Sequence, residues 1–137
     1  MKKIKIFLFF TLLLFFSCRE EIIPPGSPVG NINEPLLTRT YNSYIFSINA
    51  DNITASINDN TFLETFKANI YSIIADYSSG YVRVQVKSNT NSILYSKVFE
   101  NNTRGTLENI SGSQPQIISI DFQNFTGKFQ VTLSGTR

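Results

Sequence analysis

The chain has 137 residues, with 12 basic and 10 acidic side chains and a formal net charge of +2. It holds no histidine, no tryptophan and a single cysteine, and 16% of its residues are charged. These counts exclude an imidazole base, a Ser-His-Asp triad, a histidine metal site and a disulfide. They also leave no basic field for nucleic acid.

The chain opens with MKKIKIFLFFTLLLFFSC. Lys2, Lys3 and Lys5 precede an apolar run from Ile6 to Phe16, broken only by Thr11, and then the small Ser17. That order is the order of a secretory signal, and the run is too short for a membrane-spanning helix of roughly 20 residues. The segment FFSC resembles the lipobox of bacterial lipoproteins, although Phe15 stands where that family prefers leucine. The resemblance implies cleavage after residue 17 and lipidation, palmitate included, of Cys18, the only cysteine. An ordinary secretory cleavage site is the alternative. Two or three acyl chains, at about 0.8 kcal/mol per buried methylene, anchor a protein stably. Arg19, Glu20 and Glu21 then read either as a solvated cluster or as a resemblance to a surface-export signal. The expected place is the outer membrane of a Gram-negative envelope, facing the periplasm or the outside. Removal of Lys2, Lys3 and Lys5 leaves nine basic against ten acidic side chains, so the apparent basicity belongs to the signal.

Residues 18–39 carry Pro24, Pro25, Pro28 and Pro35 among Gly26, Ser27, Gly30 and Asn31. This composition reads as a tether, reaching ~60–70 Å if fully extended as polyproline II and roughly 25 Å as a coil. A terminal strand pairing through Leu36 and Leu37 is the other reading.

From Thr40 the apolar period becomes two. Tyr44, Phe46 and Ile48 alternate with polar partners, then Ile53, Ala55 and Ile57 after a turn signal at Ala50–Asn52. Val82, Val84 and Val86 form one apolar face, and Ile93 to Phe99 resumes the pattern after Asn89–Ser92. Ile118, Ile120 and Phe122, then Phe129, Val131 and Leu133, alternate on either side of a hairpin expected at Asn124–Gly127. Such alternation predicts half-buried antiparallel strands. The expected fold is all-β, an antiparallel β-sandwich of jelly-roll or Greek-key kind over 40–137, with about seven or eight short strands. Residues 61–77 are ambiguous. Phe62, Phe66, Ile70, Ile73, Ile74 and Tyr77 fit a helical spacing, which makes an α+β fold the alternative. The richness in Thr, Phe, Ile and Tyr favours a strand over about 66–75, with a hairpin turn at Tyr77–Tyr81.

Candidate chemistry is sparse. Asp51, Asp59, Glu64, Asp76, Glu100, Glu108 and Asp121 are scattered near expected turns and form no glycosidase-like pair by motif. Asn58-Asp59-Asn60 and Asn49-Ala50-Asp51-Asn52 offer oxygens to calcium but match no EF-hand loop, and turn formation explains them better. Tyr81 and Tyr95 are expected to share an outer face with Arg83, Lys87 and Lys97. Tyr81, Arg83, Tyr95 and Lys97 are therefore the candidate ligand-binding residues, and cross-strand packing is the competing explanation. No catalytic residue, metal or cofactor is expected. The expected function is a non-catalytic binding module for a glycan or an envelope protein. The alternative is a structural envelope component acting through strand edges.

Overall fold

The computed structural model describes residues 31–136. The signal expected at 1–17 and the lipidation expected at Cys18 fall outside the described residues. Six strands follow in chain order: β1 (Leu36–Thr40), β2 (Ser43–Asn60), β3 (Lys67–Ser88), β4 (Ile93–Phe99), β5 (Thr103–Ser111) and β6 (Pro115–Gly135). Every named pair of strands is antiparallel, and the described residues contain no helix. The order is β1-β2-β6-β3, and the far edge of β3 is shared by β5 along its first half and β4 along its second.

β2, β3 and β6 run for 18, 22 and 21 residues, far beyond the usual five or six. All three bend at mid-length. The register slips between Ala50 and Ala55 where β2 meets β6, and between Ala75 and Tyr81 where β3 meets β6. Asn52, Asp76 and Asn124 take positive φ at these points, as do Gly80 and Gly127. A Cβ at Gly80 would collide with the backbone oxygens of Gln123 and Asn124, so glycine alone lets β3 and β6 approach here. Buried parity flips with the slips. Tyr44, Phe46, Ile48 and Ala50 are buried, then Ile53 and Ile57 pack on the same core. In β6 the buried set passes from Ile118, Ile120 and Phe122 to Phe125, Phe129, Val131 and Leu133. An odd shift preserves the inward face through a bend.

The bends fold the sheet over on itself. Phe122 and Phe129 are seven residues apart, about 23 Å along a straight strand, yet their rings meet edge-on at 5.8 Å. One leaf holds β1, the first half of β2, the second half of β6, the first half of β3, and β5. The other holds the second half of β2, the first half of β6, the second half of β3, and β4. The result is a β-sandwich whose leaves share three continuous strands. Phe46, Phe122, Phe125 and Phe129 fill its centre, with Phe122 in ring contact with the other three. Truncating such a ring to alanine costs about 3–5 kcal/mol.

The all-β antiparallel sandwich and the strand over 66–75 are therefore found. The strand count and connections differ from expectation. Ala50–Asn52, Tyr77–Tyr81 and Asn124–Gly127 are bends inside long strands, so six strands replace seven or eight. The 124–127 hairpin does not form, because both halves of β6 pair with β2 and β3 instead of with each other. β1 begins inside the 18–39 stretch read as tether and pairs Leu36 with Ser47 and Leu37 with Phe46, as the terminal-strand alternative for that stretch has it. Its hydrogen bonds to β2 outweigh the extended, solvated state that the prolines before it favour.

Candidate functional site

Tyr81, Arg83, Tyr95 and Lys97 do not gather on one face. Arg83 lies outward between the buried Val82 and Val84, its guanidinium 6.0 Å from the Tyr81 ring. Tyr95 and Lys97 pair with Val86 and Val84 and so take the inward parity. Their partner is Glu108 on β5, in the opposite leaf. The Tyr95 hydroxyl donates to its Oε1 at 3.3 Å and the Lys97 Nζ at 2.5 Å. Burial first, and then Glu108, push the Tyr95 phenol well above its ordinary range. This trio joins the two leaf edges. The outer-face grouping expected of Tyr95 and Lys97 fails because the bend places β4 and β5 on facing leaves.

A different constellation stands at the end of the sandwich opposite the bends. An open depression of about 640 Å³ is lined by Tyr41 and Asn42 from the β1–β2 turn, by Phe62, Glu64, Thr65 and Phe66 from the β2–β3 connection, and by Lys67 and Thr136. Tyr41, Phe62 and Phe66 are 84%, 62% and 70% exposed. Lone exposed apolar residues need no explanation, but three aromatics around one concavity do.

The chain holds this rim firmly. Thr61 is fully buried, donating its N–H to the Gln116 carbonyl at 2.8 Å and its hydroxyl to that of Pro115 at 2.6 Å. Leu63 is fully buried too, and its carbonyl accepts the Gln114 amide at 2.7 Å. Between them the Phe62 N–H donates to Asn60 Oδ1 at 2.9 Å. Across the depression, the Asn42 carbonyl accepts the Gly135 N–H at 2.9 Å, and its side-chain amide donates to the Gly135 carbonyl at 3.1 Å. The Thr65 hydroxyl lies 2.9 Å from the Thr136 carbonyl.

Behind the rim sits a charged cluster. Arg39 of β1 pairs with Asp59 of β2, and its guanidinium lies 5.9 Å from the Tyr44 ring and 5.8 Å from the Phe62 ring. Burial works to raise the Asp59 carboxyl. Hydrogen bonds from Arg39, the Asn60 N–H and Tyr44, together with the Arg39 charge, outweigh it and hold Asp59 below the usual carboxylate range. Burial, and then Asp59, push the Tyr44 phenol far up.

Such a site can stack flat rings on aromatic faces and offer amide, hydroxyl, carboxylate and ammonium groups at its edge. Among the described residues Glu64 is the one carboxylate lining it, and no second one stands there to flank a bond. Among the described residues no three His, Cys, Asp or Glu side chains cluster to hold a metal. Sequence reasoning missed the site because Phe62 and Phe66 fit a helical period. The available signal was two phenylalanines among Asn, Thr and Glu in the connection NDNTFLETF.

No family model matches the chain, and no curated protein does. Among solved structures, one described as "CBM4 structure and function" is similar at 13% identity and a TM-score of 0.38, covering 74% of this chain and 85% of that one. The capsular polysaccharide assembling protein CapF from Staphylococcus aureus is similar at 8% identity and a TM-score of 0.31. That match covers 75% of this chain and 29% of that one. Both likenesses are too loose to bear on the ligand or on the connections of this chain's strands.

Proposed function

We propose that this protein is a non-catalytic glycan-binding module, held at the outer membrane by a lipidated Cys18, that takes its ligand in the Tyr41–Phe62–Phe66 depression. The observation that carries the reading is three exposed aromatic side chains around one concavity, on a rim pinned by buried Thr61 and Leu63. The volume falls in the range of small-ligand pockets. Aromatic faces beside neutral and singly charged hydrogen-bonding groups suit sugar rings, which present apolar C–H faces and hydroxyl rims. Orientation supports the same reading. The chain enters the sandwich at its bent end, where the Asn33 N–H donates to the Asn49 carbonyl at 2.8 Å and its side chain bonds the Asp51 backbone. The depression stands at the other end, away from the anchored segment. Calorimetric titration of the secreted chain with oligosaccharides tests the reading. Binding that falls at least tenfold in Tyr41→Ala and Phe66→Ala, with the Tm unchanged, is the expected result.

The structural reading has its own observation. No strand among the described residues covers the outer edge of β2 from Ile53 to Asn60, because β1 pairs only with Ser43–Ser47. An envelope protein adding a strand there would co-purify with the chain, and a proline at an edge position of β2 would abolish it.

A further inference from the structure

Among the described residues, six other than glycine adopt positive φ: Asn33, Asn52, Phe62, Asp76, Asn91 and Asn124. Five are Asn or Asp, the types that enter the left-handed region most readily. The sixth is a phenylalanine at φ 56°, a bulky residue for which this backbone is strained. Burial does not repay that strain, because the residue is 62% exposed. The flanking Thr61 and Leu63 are both fully buried and hydrogen-bonded, so the chain must turn outward between them. Every other positive-φ position among the described residues is held by Asn, Asp or Gly, and asparagine here would suit the backbone better.

We infer that Phe62 is a ligand platform kept at the expense of fold stability, and that it takes the C–H face of a neutral sugar ring. The ligand half rests on the glycan reading above; the stability half does not. One face of the ring is occupied by the Arg39 guanidinium, which Asp59 holds in place and charged. A second cation on the same π system would meet that charge, which disfavours cationic ligands. The exposed remainder of the ring lines the depression beside Phe66 and Tyr41. A platform locked by its backbone before binding loses little conformational freedom on binding.

The test compares the wild-type chain with Phe62→Asn, Phe62→Gly and Phe66→Ala. Melting is followed by circular dichroism. Binding is measured against neutral hexasaccharides of glucose, xylose, mannose and galactose, with a glucosamine hexasaccharide as the cationic probe. Phe62→Asn and Phe62→Gly are expected to raise the Tm, by roughly 4 °C or more for asparagine, and to lose at least tenfold in binding to whichever neutral hexasaccharide the wild type takes. Phe66→Ala, at an unstrained position, is expected to lose binding without gaining stability. A lower Tm in Phe62→Asn makes the ring a part of the fold and overturns the stability half. A raised Tm with undiminished binding overturns the platform. Preference for the glucosamine hexasaccharide overturns the neutral-ligand assignment. Failure of the wild type to bind any hexasaccharide removes the glycan reading itself, and the Tm comparison stands apart from it.

Discussion

The Tyr44 hydroxyl donates to Asp59 at 3.3 Å, although fifteen residues of one unbroken strand separate them. A straight strand would hold them about 50 Å apart. The two ends of β2 meet because the strand turns back at Ala50–Ala55, and Arg39 from the neighbouring β1 closes the junction. Asp59 thus links both leaves to the rim of the aromatic depression.

Its titration should therefore show in the acid limb of stability. The folded carboxyl is held below the unfolded value, so its contribution is fully present above about pH 4 and is lost as pH falls through the folded value. Melting curves between about pH 2 and 7 are expected to show the wild type losing Tm steeply below about pH 4. Asp59→Asn should start lower at pH 7 and fall more gently. Parallel acid limbs in the two proteins would mean that Asp59 is not among the groups controlling acid unfolding.

Gly80 offers a test of the bend. At φ 76° and against the backbone of Gln123 and Asn124, it leaves a side chain neither a relaxed conformation nor room. Gly80→Ala is expected to destabilise by roughly 2–4 kcal/mol, combining left-handed strain with the displacement of a packed neighbour. Urea titration should show a lower midpoint with an unchanged slope. The control is Gly112→Ala, where no atom stands within 4 Å of the added Cβ; its positive φ of 105° limits it to the strain part. Equal losses at both glycines would remove the crowding argument.

The proposed anchor is tested directly. Cells expressing the chain and fed labelled palmitate should label the wild type and not Cys18→Ser. The variant should move from the membrane to the soluble fraction. Unchanged fractionation of Cys18→Ser would end the lipid-anchor proposal, and accessibility of the wild type to protease on intact cells would separate the surface from the periplasmic face.

Much of this architecture was legible in the residues. Val82, Val84 and Val86, or Phe129, Val131 and Leu133, declare their inward face by alternation alone, and all six are buried. The bends were legible as interruptions but not as bends. A glycine or asparagine at a break in period two serves a hairpin and a leaf-crossing strand equally well. Which one forms depends on partners more than forty residues away, as when Ile53 of β2 meets Phe125 of β6. The depression was hidden for the same reason. Tyr41, Phe62, Phe66 and Thr136 are scattered along the chain and meet only when two connections and the end of β6 converge at one end. Exposure of Phe62 is set by the burial of its two neighbours, which no local pattern announces.

The antiparallel seam between β1 and β2 carries a mechanical consequence. If Cys18 carries the proposed anchor, tension from the membrane enters the domain at the bent end, past Asn33, while the aromatic rim faces the opposite way. A ligand on that rim, pulled from the membrane, loads the β1–β2 pairing along the strand axis. The five residue pairs from Leu36↔Ser47 to Thr40↔Ser43 then bear the tension together rather than opening one after another. A fold of this kind resists traction along the direction in which the proposed tether would pull, and yields more readily to force applied across its leaves.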